Sequence, residues 1–170
     1  MQNPGNAGAR IIVTGGTFDK RYDAIKGELT FKDTHLPAIL EQARVALPLA
    51  VEIRLLIDSL QMTGEHRQSV LDACRQSPER AIVVVHGTDT MVQTAHVVGS
   101  AKLDKTVVFT GAMIPYSVQG SDAPFNLGFA LATALALPSG AYVAMNARVF
   151  PWDNVTKDRA QGQFKPAHPA

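Results

Sequence analysis

Five consecutive apolar residues, Ala81-Ile82-Val83-Val84-Val85, run without a polar interruption and stop at His86-Gly87. A run of that length bounded by a glycine turn reads as a strand, and a strand with no polar side needs cover on both faces. Two other segments repeat the pattern: Ile11-Ile12-Val13 before Gly15-Gly16, and Thr106 to Phe109 before Thr110-Gly111. Val51 to Ile57 and Ala141 to Met145 complete five expected strands. Helical spacing fills the gaps between them. Residues 35–46 place Leu36, Ile39, Leu40, Ala43 and Ala46 on one side, with Pro48 beyond the end. Glu65 to Arg75 reads as a helix closed by Ser77-Pro78, and a further helix runs from Asp89 to about Ser100. Ser121-Asp122 can cap another reaching about Leu137, with Pro124 in its first turn. Strands alternating with helices predict an α/β fold: three layers, with a mainly parallel sheet flanked by helices.

Composition agrees. Charged residues are 18% of the chain and apolar residues 46%, a mix suited to elements buried on both sides. The 170 residues predict one domain over 1–170 with its core in about 10–160, and the ends 1–9 and 160–170 are expected to be loose. Sixteen basic residues face fifteen acidic ones and no basic run exceeds two residues, so no nucleic-acid partner is expected. Cys74 stands alone, and His35, His66, His86, His96 and His168 lack metal-ligand spacing, so no metal is expected. No apolar stretch approaches the ~18 residues of a membrane span, and no apolar leader opens the chain, so no membrane partner and a cytoplasmic location are expected.

In a parallel sheet, ligands bind beyond the carboxyl ends of the strands. Here those ends read Thr14-Gly15-Gly16-Thr17, Asp58-Ser59, His86-Gly87-Thr88-Asp89-Thr90 and Thr110-Gly111-Ala112-Met113. Hydroxyls and small residues collect on one edge. Gly15-Gly16 exposes backbone N–H groups beside Thr17, a setting in which a hydroxyl can attack a carbonyl while the amides hold the oxyanion. The same turn can equally cradle a phosphate, although neither GxGxxG nor GxxxxGK[ST] is present. Thr88 or Asp89 can simply cap the next helix, but two hydroxyls and a carboxylate exceed what a cap needs.

The segments IIVTGGTFD, LIDSLQM, VVVHGTDTMVQTA, KTVVFTGAMIPYSVQGSDAPFNL and MNARVFPWDNVTK, in that order, resemble the bacterial-type L-asparaginase/glutaminase family. They span roughly residues 10–160, and agreement at four strand ends is far more specific than TGGT alone. The resemblance implies a flavodoxin/Rossmann-like N-terminal asparaginase domain, without the C-terminal domain that usually doubles the length of family members. It implies Thr17 as nucleophile, a second triad of Thr88, Asp89 and Lys157, and Ser59 as receptor for a substrate carboxylate. Asp89 would also hold the substrate ammonium. A mobile loop follows TGGT in the family, and Tyr22 in residues 18–34 matches its tyrosine by position, with a hairpin aromatic covering the core edge as the other reading. Lys157 read without the family would be an ordinary surface lysine.

The expected catalytic set is therefore Thr17, Thr88, Asp89, Lys157 and Tyr22. The expected substrate-binding set is Gly16, Asp58, Ser59, Gly87, Thr88 and Asp89. Leu60 departs from the polar residue often found after the substrate-holding serine, with Gln61 as a possible substitute. The implied function is hydrolysis of L-asparagine to L-aspartate and ammonia through an acyl-enzyme, with no cofactor, in a homodimer or homotetramer. Glutaminase or mixed amidase activity, and a catalytically weak amino-acid-binding module, stay open beside it; a nucleotide-binding protein is more distant.

Overall fold

The computed structural model describes residues 8–168. Six strands build the central sheet: β1 (Ala9–Gly15), β4 (Leu49–Ile57), β5 (Ala81–Val85), β6 (Thr106–Thr110), β7 (Gly140–Met145) and β8 (Arg148–Pro151). Their order is β4-β1-β5-β6-β7-β8, parallel throughout except that β8 runs antiparallel to β7. Two short hairpins lie outside it: β2 (Arg21–Asp23) with β3 (Glu28–Thr30), and β9 (Thr156–Asp158) with β10 (Gln163–Lys165). Four helices cover the sheet: α1 (Leu36–Gln42), α2 (Gly64–Gln76), α3 (Met91–Ser100) and α4 (Ala123–Ala136).

Alternation along the strands divides the interior into two cores. Ile12, Ile82, Val84, Val107 and Phe109 face one side with Val70, Cys74 and Val98 of α2 and α3. Ile11, Val13, Val83, Val85 and Val108 face the other with Leu36 and Ile39 of α1 and Leu127 and Ala130 of α4. Every residue of β5 and β6 is buried, as their unbroken apolarity predicts.

Several boundaries differ from the sequence reading. The first helix ends at Gln42, short of Ala46, because Arg44 turns into the left-handed region at φ 51°. The third begins at Met91, two residues after Asp89, with Thr90 at its N-cap. Neither Thr88 nor Asp89 is that cap, and the Thr90 hydroxyl donates to Ser59 O at 2.8 Å. Asp122 stands at the N-cap of α4, but its side chain makes no cap hydrogen bond; it receives the N–H groups of Met113 and Ile114. Residues from 160 onward are not loose through Lys165, since β10 pairs with β9 and buries Phe164. Ala9 is likewise ordered, buried at the start of β1; residues 1–7 and 169–170 of the expected loose ends lie outside the described residues.

Candidate active site

Glycine makes the carboxyl edge of the sheet compact. Gly15 and Gly16 hold φ values of 100° and 74°, and the Gly16 N–H donates to Ile57 O at 3.0 Å. A Cβ on Gly16 would lie 2.3 Å from the Cα of Gly87, and one on Gly87 would lie 2.6 Å from the Cβ and Oγ of Ser59. The end of β1 therefore touches those of β5 and β4 backbone to backbone, and Gly87 lies against the Ser59 side chain, which brings the turns carrying Thr17, Thr88 and Ser59 together on one edge. Only residues without a side chain allow that approach.

Thr17 opens a single 3₁₀ turn, Thr17–Asp19, and is half-buried. Its hydroxyl takes no partner among the described residues. Thr88 is buried, and its Oγ1 accepts a hydrogen bond from Lys157 Nζ at 2.8 Å. The same ammonium donates to Asp89 Oδ1 at 2.8 Å. Lys157 comes from β9, 68 residues further along the chain than Asp89. The lysine stays in place because the β9–β10 pairing sets Lys157 opposite the buried Phe164, while Val155 is buried just before it. Its ammonium thus sits between a hydroxyl and a carboxylate, where it can pass a proton along a threonine–lysine–aspartate chain.

His86 belongs to the scaffold. It is fully buried, with Nδ1 2.8 Å from Gly87 O and Nε2 2.8 Å from Thr94 Oγ1. The carbonyl fixes Nδ1 as the donor, so Nε2 accepts from the threonine hydroxyl. Burial pushes the imidazole down to about 4, so it stays neutral and holds the Gly87 turn rather than acting as a base. Thr14 and Thr110, counted among the strand-end hydroxyls, are also structural: they donate to Val85 O at 2.9 Å and to Ala144 O at 2.8 Å.

The expected binding residues fare differently. Ser59 is buried beside Gly87 and secured through its carbonyl by Thr90. The Asp58 carboxylate is occupied: Lys20 Nζ donates to it at 2.6 Å and the Leu60 N–H at 3.0 Å. The Lys20 hydrogen bond holds its carboxyl below the usual carboxylate range. Leu60 projects outward. Tyr22 is not gathered with the rest; it stands on β2 opposite Leu29, 67% exposed, and makes no hydrogen bond to the other site residues.

Sequence reasoning missed three supports. Asp19, two residues after Thr17, is fully buried, and its Oδ1 accepts from Thr34 Oγ1 at 3.0 Å and His35 N at 2.8 Å. Its Oδ2 has no partner among the described residues, and burial pushes the carboxyl up to about 6. With the Arg21–Asp33 ion pair, it clamps the two stems of the β2–β3 hairpin next to Thr17. Lys20 ties the same stem to Asp58, and Ser117 Oγ donates to its carbonyl at 2.8 Å. Asn126, fully buried on α4, donates to Gly111 O and Asp122 Oδ2 and accepts from the Asn146 N–H at 3.0 Å. The available signal was an asparagine inside an otherwise apolar helix, which needs polar partners wherever it is buried. Among the described residues no group of three or more His, Cys, Asp or Glu could hold a metal, and no helix is long and apolar enough to cross a membrane.

Residues 9–164 match the family described as Asparaginase, N-terminal. The probable periplasmic L-asparaginase of Haemophilus influenzae is 33% identical over 163 residues, covering 86% of this chain and 45% of that protein. The glutaminase-asparaginase of Acinetobacter glutaminasificans is 28% identical over 162 residues, covering 86% of this chain and 48% of that one. Among solved structures, the thermostable L-asparaginase from Thermococcus kodakarensis superposes with a TM-score of 0.84 at 26% identity, covering 95% of this chain and 52% of its own. The chain thus spans about half the length of these relatives.

Proposed function

The chain belongs to the asparaginase family through its N-terminal domain, and on that premise we propose that it is an amidohydrolase converting L-asparagine to L-aspartate and ammonia. The observation that carries the reading is the ammonium of Lys157 held between Thr88 Oγ1 and Asp89 Oδ1 at the strand ends that also present Thr17.

In this reading Thr17 Oγ attacks the side-chain amide carbon and forms a tetrahedral oxyanion, which backbone N–H groups near Gly16 and Thr88 stabilise. The C–N bond breaks, the proton given up by the Thr17 hydroxyl passes to the nitrogen, and ammonia leaves an acyl ester on Thr17. Water, deprotonated through Thr88, Lys157 and Asp89, then cleaves the ester to aspartate and restores the hydroxyl. The substrate is a zwitterion and needs two opposite receptors. Asp89 keeps one carboxylate oxygen beyond its contact with Lys157 for the ammonium, and Ser59 with its neighbouring turn is assigned the carboxylate. Tyr22 would join only by movement of the β2–β3 hairpin, and Asp58 serves the site by anchoring Lys20.

The Acinetobacter relative, a glutaminase-asparaginase, favours a second reading in which glutamine is also hydrolysed. One methylene changes discrimination by only about 1–3 kcal/mol, so the two amides are separated by comparing kcat/KM for each. We further assign residues 9–164 to one folded domain, working in the cytoplasm as a homodimer or homotetramer. The buried, unpaired Cys74 suits a reducing compartment. Ammonia release from asparagine, measured for the purified chain and for Thr17→Ala, tests the central claim. The reading stands if wild type turns over and the variant does not; equal rates, or asparagine binding by calorimetry with no turnover, overturn it.

A further inference from the structure

α4 carries no charged side chain, yet its first turns hold a fully buried amide, Asn126. That amide is used completely. Nδ2 donates to Gly111 O at 3.0 Å and to Asp122 Oδ2 at 2.9 Å, and Oδ1 accepts from the Asn146 N–H at 3.0 Å. A buried polar network with every member satisfied specifies one arrangement, where an apolar contact permits several. The arrangement here joins three segments. Asp122 receives the N–H groups of Met113 and Ile114, both at 3.0 Å, which fixes the turn after β6. Asn146 and Ala147 form the turn between β7 and β8 with φ values of 50° and 64°. Alanine enters that left-handed region only under strain, so this turn depends on outside contacts such as the one from Asn126.

Gly111 is where this network meets Thr88. A Cβ on Gly111 would lie 2.3 Å from His86 O and 3.4 Å from Thr88 Cγ2, so a bare Cα is all that fits against the turn after β5. Thr88 branches at Cβ. Its hydroxyl meets Lys157 Nζ at 2.8 Å, and its methyl faces Gly111. Rotation about χ1 cannot take the hydroxyl off Lys157 without moving the methyl as well. We propose that Asn126 is a positioning residue for the Thr88 hydroxyl: it holds Gly111 against the Thr88 methyl and so keeps Oγ1 aimed at Lys157. Asn126 touches neither substrate nor the reacting atoms in this role. The inference rests on the relay given to Thr88 above. Thr88→Ser separates the two functions of that side chain, because it keeps the hydroxyl and removes the methyl on which Gly111 acts.

Kinetics and a rotamer measurement test this separately. Asn126→Asp keeps the size of the side chain and the acceptor for the Asn146 N–H, but loses both donors. It should lower kcat for asparagine by about 10–10²-fold, with KM within about twofold of wild type and circular dichroism unchanged. In a Thr88→Ser background the same change should cost less than about twofold, since the methyl it acts through is gone. Vicinal couplings from Thr88 Cγ2 to the backbone nitrogen and carbonyl carbon, read by NMR on the unliganded protein, should show one rotamer in wild type and averaged values in Asn126→Asp. Should Asn126→Asp fail to fold, Asp122→Asn carries the same comparison, because it sets an amide N–H₂ against either Asn126 or the Met113–Ile114 turn. An unchanged kcat, an equal loss in both backgrounds, or single-rotamer couplings in the variant overturns the positioning role. Wild type that releases no ammonia, or Thr88→Val with full kcat, overturns the reading of Thr88 instead, and the couplings still decide whether Asn126 fixes its side chain.

Discussion

β1 has two parallel neighbours of similar apolarity and opposite fate. β5, Ala81–Val85, is buried at every residue, whereas β4, Leu49–Ile57, is buried at none. The difference comes from sheet order: β5 has β6 on its far side and β4 has nothing among the described residues. It carries through to the turns that follow. Beyond β5, a buried histidine and a buried threonine hold Thr88 and Asp89 under Lys157. Beyond β4, Asp58 and Ser59 depend on borrowed contacts, Lys20 on the carboxylate and Thr90 on the carbonyl. One neighbour supplies a corner built from buried groups, and the other a corner that must be braced.

The comparison can be broken most sharply at the β5 corner. Thr88→Val and Lys157→Met should each lower kcat for asparagine by about 10²–10⁴-fold, since each removes a group proposed to relay protons. Leu60→Ala, beyond β4, should change kcat little, and steady-state ammonia release reads all three. Next in size is the core itself. Ile82→Ala in β5 should destabilise the fold by about 2–5 kcal/mol in urea unfolding, whereas Ile53→Ala in β4 should stay within about 0.5 kcal/mol for the monomeric form. Similar values for the two would abolish the distinction drawn between the strands.

A third substitution acts where the two corners touch. Gly87→Ala inserts a Cβ 2.6 Å from Ser59 Cβ and Oγ, so the ends of β4 and β5 must separate. Displacement of that order should lower kcat/KM by about 10²-fold with the fold intact by circular dichroism.

The smallest effect is a slope in stability with pH. His86, below β5, is lowered from 6.5 to about 4 by burial, so between those values the unfolded chain takes up a proton that the folded chain refuses. Stability therefore falls as pH drops through that window. Asp19, beside the hairpin that braces β4, is raised from 3.8 to about 6 by burial, so the folded chain binds the extra proton and stability rises as pH falls from about 6 toward 3.8. The two oppose each other where the windows overlap. Asp19→Asn should thus lose stability more steeply than wild type on acidification from about pH 6 to 4, as urea midpoints would show; an unchanged slope would remove Asp19 from this balance.

Much of the framework was legible in the residues. The apolar runs 81–85 and 106–109 could only be central strands, and each one's stop at a glycine turn marked a corner of the site. The β9–β10 hairpin escaped, and β2–β3 entered only as one of two readings of Tyr22, because three-residue strands carry almost no periodicity. Phe164 escaped for a related reason: a single aromatic in a polar tail gives no hint that β9 lies beneath it. Asp58 read as a binding carboxylate because the chain does not announce that Lys20, 38 residues earlier, will reach it.

By itself, then, the sequence determined the layers and the contents of the strand ends, because apolar runs, helical spacing and glycine turns act over a few residues. Tertiary structure decided which apolar strand became an edge, which carboxylate was already occupied, and which lysine reached Thr88 and Asp89. Those outcomes depend on sheet order and on contacts spanning tens of residues, and only the assembled sheet with its covering helices sets them.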